Sequence, residues 1–186
     1  MEISLTPQGV RSHPYNVQRG LLPMLLEAGA RLGPYEVVAP LGAGGMGEVY
    51  RARDTRLGRS VALKVLSAVG AAGSSRNQRF QREARVISRL GHPHICTLHD
   101  VGEHEGLAFL VMEYVEGESL ADRLEEGALP LAQALRFGAQ IAEALAAAHR
   151  LGVIHRDLKP SNVMLGRDRV KLLDLTTDPQ VTFSRS

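Results

Sequence analysis

The chain has 186 residues, 44% of them apolar, so a sizeable core can be buried and wholesale disorder is excluded. Twenty-two basic residues against 20 acidic ones leave a net charge of +2, too weak a field to argue for nucleic acid or an anionic membrane. Aromatic residues make up 4% with no tryptophan, which also weakens any role built on base stacking.

The single cysteine, Cys96, excludes an intrachain disulfide and a thiolate metal cluster. It lies in the apolar run Ile95-Cys96-Thr97-Leu98 and reads as a small buried hydrophobe. No stretch approaches the roughly 18 apolar residues of a bilayer span. The N-terminus lacks a basic-then-apolar signal pattern. The expected setting is the cytoplasm, without a membrane segment in this chain.

Residues 1–34 read as a flexible leader: Pro7, Pro14 and Pro23 with scattered glycines show no period. The smoother run after Met24 points to Met24 as the start. From Tyr35 the pattern changes. Tyr35 to Leu41 is β-rich, a glycine cluster follows, and Glu48 to Arg53 alternates polar and apolar as a half-buried strand does. Val61 to Leu66 predicts a third strand and 68–75 a loop. Arg76 to Leu90 predicts an amphipathic helix, with Phe80, Ala84, Ile87 and Leu90 at helical spacing. Glu83 falls on the same stripe, where a carboxylate needs a cationic partner. Ile95 to Glu103 and Leu107 to Tyr114 predict two more strands, joined at Glu105-Gly106. Beyond Gly117 the chain turns helical. A long helix is expected from Leu131 to Leu151, with Leu131, Leu135, Ala142 and Leu145 on one face and Gly152 at its stop. Val163 to Leu165 and Val170 to Leu173 predict a short hairpin before a polar tail. The fold class is α+β, and no internal repeat is present.

Three segments carry chemistry. Gly42-Ala43-Gly44-Gly45-Met46-Gly47 satisfies G-x-G-x-x-G; glycines let backbone amides approach phosphate oxygens. A dinucleotide site would need a helix directly after it, whereas a strand follows, so the pattern predicts a glycine flap between antiparallel strands. Lys64 shares one strand face with Ala62, and an inward lysine is costly unless paired; Glu83 is its predicted partner. His155-Arg156-Asp157-Leu158-Lys159-Pro160-Ser161-Asn162 concentrates a carboxylate, a cation and an amide in one loop. Asp157 can accept a hydroxyl proton, Lys159 can neutralise phosphate charge, and Asn162 and Asp174 can hold Mg²⁺ through oxygen. Asp174 ends the apolar run from Val170, where a solvated acid is not expected.

Taken in order, these motifs resemble the protein kinase family, in particular bacterial Ser/Thr kinases, from about Tyr35 to Asp174. The resemblance implies a complete N-lobe over residues 35–114 and a partial, mainly helical C-lobe over 115–174, with 175–186 an aberrant tail. It implies that ATP lies under the segment Leu41, Gly42, Ala43, Gly44, Gly45, Met46, Gly47 and Glu48. Val49 and Ala62 roof the adenine, Met164 lies beneath it, Met112 resembles the gatekeeper, and Glu113 and Val115 supply hinge backbone contacts. Lys64, paired with Glu83, holds the α- and β-phosphates. Asp157 resembles the catalytic base, Lys159 marks the Ser/Thr class, and Asn162 and Asp174 resemble the Mg²⁺ ligands. His92 and His94 match a structural connector, and His155 packs the loop. The implied reaction moves the ATP γ-phosphate to Ser or Thr hydroxyls of a protein substrate.

The pattern departs from the family after Asp174. Asp-Phe-Gly reads Asp174-Leu175-Thr176; Leu175 can fill an apolar pocket, but Thr176 lacks the backbone freedom of glycine. No Ala-Pro-Glu motif or later C-lobe helix follows, which suggests a truncated or frameshifted gene and impaired transfer. The alternative reading is a non-catalytic ATP-binding module, pairing with a second copy or with a full-length kinase through its exposed lobe surfaces.

Overall fold

Successive antiparallel hairpins build most of the chain between residues 31 and 113. The computed structural model describes residues 26–44, 47–66, 84–85, 87–166 and 169–175. Strands β1 (Arg31–Leu32), β2 (Tyr35–Gly44), β3 (Gly47–Asp54), β4 (Arg59–Val65), β5 (Leu98–His104) and β6 (Leu107–Glu113) form one antiparallel sheet in the order β1-β2-β3-β4-β6-β5. Glu105 and Gly106 close the β5–β6 hairpin with φ of 50° and 80°, the paired positive values that match strand twist in a two-residue turn. Residues 26–34 belong to the segment read as a leader. In the structure Arg31–Leu32 pair with β2, and Leu26 and Ala30 pack on the sheet's core.

Alternation along β4 decides where the site lies. Val61, Leu63 and Val65 join Leu32, Tyr35, Val37, Tyr50, Ala52, Phe109 and Val111 in one buried cluster. Each fully buried side chain of this size stabilises by about 1.5–3 kcal/mol relative to exposure. Ala62 and Lys64 therefore face the other way. The sheet curls, so that β2 meets β5 across the three strands between them. The Tyr35 hydroxyl donates to Asp100 Oδ2 at 2.6 Å, and its ring meets Phe109 edge-on at 6.0 Å. Gly102 makes room for that ring, because a Cβ there would lie 2.3 Å from Phe109 Cζ.

The remaining elements are β7 (Glu118–Ser119), α1 (Leu120–Glu125), α2 (Leu131–Arg150), a single 3₁₀ turn at Pro160–Asn162, β8 (Val163–Leu165) and β9 (Val170–Leu172). Ser119 and Asp122 form a reciprocal capping box that starts α1. Strands β7, β8 and β9 make a small antiparallel sheet. Helix α2 packs on it through Phe137, Ala144 and Ala148, in a core with Leu90, Ile95, Val153, Val163, Val170, Leu172 and Leu175.

Several expectations change. The predicted face of the long helix was Leu131, Leu135, Ala142 and Leu145, but Leu131 is 75% and Leu135 65% exposed, Ala142 is exposed, and only Leu145 packs on the core. The helix is alanine-rich on more than one side, so periodicity offers two apolar stripes and tertiary contact selects the one containing Phe137. Ile95, read as the start of a strand, forms a lone parallel bridge to Leu172, and β5 begins at Leu98. The predicted helix over 76–90 falls largely outside the described residues. Its described end is helical, with Ser88 N donating to Ala84 O at 2.8 Å. Among the described residues no helix is long and apolar enough to cross a membrane.

Candidate active site

Sheet register sets the roof of a cleft. Gly42 opposes Val49, Val49 opposes Lys64, and Lys64 opposes Leu110; directly opposed residues share a face. Two residues along β4, Ala62 lies on that face and opposes Met112. Gly47 has φ 128°, and a Cβ there would stand 2.0 Å from Val65 O, so only glycine lets β3 begin this close to β4. Leu41 is fully buried beside Gly42, and Ala43 is exposed at the tip. Glu48 is half-buried and accepts a hydrogen bond from the Tyr50 hydroxyl. Gly45 and Met46 lie outside the described residues.

Lys64 is 8% exposed, and its ammonium stands 2.6 Å from Asp174 Oδ1. Desolvating a lone ammonium to this depth costs on the order of several kcal/mol, so the carboxylate is what permits the placement. The predicted partner, Glu83, lies outside the described residues; the carboxylate found at Lys64 is Asp174.

Below the roof, Met164, Leu173, Val115 and Cys96 form an apolar layer against which Met112 packs. Burial and the neighbouring Glu113 carboxylate push the Cys96 thiol up to about 12. His94 connects this region to the small sheet, with one ring nitrogen 3.0 Å from Val170 O.

The loop before β8 is held by its own side chains. Asp157 N donates to His155 O at 2.7 Å, and Asn162 N to Lys159 O at 2.9 Å. Asn162 Nδ2 donates to Asp157 O at 2.8 Å and to its carboxylate at 3.2 Å. Lys159 Nζ lies 2.8 Å from Asp157 Oδ2. That hydrogen bond, helped by the one from Asn162, outweighs desolvation and holds the Asp157 carboxyl below its ordinary range. Leu173 N donates to Asn162 O at 2.9 Å, tying the approach to Asp174 onto the same loop. Arg156 and Asp174 have φ of 56° and 51°, left-handed values that cost a non-glycine residue about 1–2 kcal/mol. No feature of residue type signals the strain at Arg156.

Asn162 and Asp174 offer oxygen donors, the chemistry that Mg²⁺ takes. Among the described residues no group of three or more His, Cys, Asp or Glu side chains could cage a metal. A cation here would complete its shell with phosphate oxygens and water, as Mg²⁺ ordinarily does, so the residues present fit it.

Sequence reasoning missed Lys171. Its ammonium is 2.5 Å from Glu113 Oε2. A lysine inside the apolar run Val170-Lys171-Leu172-Leu173, alternating with buried Leu172, was the available signal.

Comparison with known proteins gives this geometry a family. The sequence pattern described as "Protein kinase domain" matches residues 35–182. The chain belongs to the protein kinase family. It is 48% identical over 146 residues to the serine/threonine-protein kinase pkn2 of Myxococcus xanthus, covering 76% of this chain and 18% of that protein. It is 43% identical over 163 residues to the serine/threonine-protein kinase PknD of Mycobacterium tuberculosis, covering 84% and 24%. Among solved structures, the PknI kinase domain of Mycobacterium tuberculosis superposes with a TM-score of 0.72 at 39% identity, over 80% of this chain and 61% of that one. This kinase-family chain therefore spans about a fifth of the length of these curated relatives and under two thirds of the solved kinase domain. Its curled antiparallel sheet and small helical part are kinase-like in fold. ATP, and typically Mg²⁺, are the ligands the family implies.

Proposed function

We propose that this chain binds Mg·ATP between the β2–β3 glycine hairpin and the 155–162 loop, as the nucleotide-binding and catalytic-loop part of a Ser/Thr protein kinase. The observation that carries the reading is the meeting of Lys64 and Asp174 at 2.6 Å, on the glycine-hairpin side of the cleft. An ammonium and a carboxylate so placed suit a phosphate chain on one side and its cation on the other.

The roles follow from the chemistry of each group. Gly42, Gly44 and Gly47 present backbone to phosphate oxygens, and Lys64 neutralises the α- and β-phosphates. Ala62, Val49 and Met164 enclose the adenine, while the backbone at Glu113 and Val115 meets its edge. Asn162 and Asp174 would hold Mg²⁺, which supplies positive charge to the transferring phosphoryl group. The γ-phosphorus–oxygen bond to ADP breaks as a bond to a Ser or Thr oxygen forms, and the hydroxyl proton passes to Asp157. Asp157 is ionised at neutral pH, as any aspartate at or below its ordinary range is, and so can accept that proton. Lys159, on the same carboxylate, stands ready to meet phosphate charge. Positioning and electrostatics supply most of the catalysis in such a transfer.

Thermal unfolding of the 186-residue chain with and without Mg·ATP tests the reading. At a hundredfold excess over Kd, binding should add about 2.7 kcal/mol, and Lys64→Ala should abolish most of that gain. Mg·ATP-dependent phosphate transfer to a Ser/Thr peptide, lost in Asp157→Asn, should accompany it. A cooperative transition indifferent to Mg·ATP would refute the nucleotide assignment.

A further inference from the structure

We propose that Lys171 is a positioning residue that fixes the hinge end of the cleft relative to its metal end; the proposal rests on the nucleotide reading above. Three segments remote in sequence meet at its ammonium. Glu113 Oε2, at the end of β6, is 2.5 Å away, and Ile95 O, on the approach to β5, is 3.4 Å away. The same Glu113 oxygen accepts a hydrogen bond from Thr97 N at 3.2 Å, while Glu113 N donates to Thr97 O at 2.8 Å. Lys171 itself sits in β9, three residues before Asp174. The strand around it is docked on the approach to β5: Cys96 N donates to Leu172 O, and Leu172 N donates to His94 O, both at 2.9 Å. The pair thus joins the strand that leads into the adenine-contacting backbone to the strand that leads into Asp174.

Stability alone does not account for this arrangement. The two side chains are 12% and 30% exposed, and a desolvated ion pair is commonly no more stabilising than an apolar pair of the same shape. What an ion pair adds is a preferred geometry, because each charge tolerates few alternative partners. The Glu113 carboxylate is further limited by Thr97 N. The pair lines an open pocket together with Ser60, Tyr114, Val115, Glu116 and Arg169.

A ligand that spans both ends of the cleft feels this link, whereas one that reaches only the hinge does not. Calorimetric titration of the full chain with adenosine and with Mg·ADP separates the two. Lys171→Met and Glu113→Gln should each weaken Mg·ADP on the order of tenfold, within the range by which a residue that touches neither end modulates the coupling between them. In Lys171→Met, whose side chain lies outside the proposed adenine contacts, adenosine should hold within about twofold. The double variant should bind Mg·ADP no more weakly than either single one, since both remove one interaction. Lys171→Gln keeps a donor for Ile95 O while removing the charge and carries the test if Lys171→Met fails to fold. Equal losses for adenosine and Mg·ADP, no loss for either, or additive losses in the double variant would overturn the positioning role while leaving the nucleotide reading intact. A wild-type chain that binds neither ligand would overturn both.

Discussion

Lys64 and Asp174 are 110 positions apart in sequence and 2.6 Å apart in space. The contact joins β4 to Asp174, two residues beyond β9, so it measures how closely the six-stranded sheet sits over the 155–162 loop. It also makes the two residues the most direct probes of the cleft.

Asp174→Asn keeps the shape of the side chain and removes its charge. Lys64 would keep a nearly buried ammonium without this partner, so the ligand-free chain should lose more than the roughly 1 kcal/mol of an exposed pair. The rise in Tm caused by Mg·ADP should vanish, because the phosphate-bound cation loses its carboxylate. A rise equal to that of the wild type would show that Asp174 does not hold the metal.

Glycine positions should divide by geometry. Gly47→Ala places a Cβ 2.0 Å from Val65 O at φ 128° and should destabilise by about 1–3 kcal/mol. Gly138 lies inside α2, where an added Cβ would meet nothing within 4 Å. Gly138→Ala should therefore stabilise by about 0.5–1 kcal/mol. Urea midpoints at unchanged m-value check both, and a stable Gly47→Ala chain would contradict the close approach of β3 to β4.

Tyr35 makes stability pH-dependent on the alkaline side. Burial, then the hydrogen bond to Asp100, raises its pKa from 10.0 to about 12. A raised folded-state pKa contributes stability that is complete below pH 10 and lost as pH climbs through 12. Wild-type stability should fall across that interval, and Tyr35→Phe should flatten the fall while losing about 1 kcal/mol at neutral pH with the hydrogen bond. Parallel denaturation curves of the two proteins across the interval would exclude Tyr35 as the titrating group.

Cys96 should be inert in the folded chain. Its thiol is buried and pushed up to about 12, so thiolate is scarce near neutral pH. Reaction with a disulfide reagent should proceed only at the rate of unfolding and become immediate in denaturant. Rapid labelling of the native chain would mean that the layer around Met164 opens.

The β-hairpins were legible because their signals are local. Alternation through Glu48–Arg53 and the Glu105-Gly106 turn depend on neighbours within a few residues, and both appear where expected. The strand after the glycines was enough to set aside a dinucleotide site in favour of a flap. The face of α2 was not legible, because Leu131 and Leu135 repeat at helical spacing as well as Phe137, Ile141 and Ala144 do. Burial against β9 chose between them. For Lys64 the sequence pointed to Glu83, which lies outside the described residues, whereas the carboxylate found at its ammonium is Asp174.

Residue order by itself determined the α+β class, the ordered kinase motifs and the cost that forces Lys64 to find an acid. These follow from side-chain chemistry and strand period, which act over short distances along the chain. Tertiary structure alone decided that Asp174 stands at Lys64, that Tyr35 closes the curled sheet on Asp100, and that Lys171 is tied to Glu113. Each of these joins segments separated by 58 to 110 positions. Such contacts are selected by how sheets curl and cores pack, and no local pattern in the sequence encodes that choice.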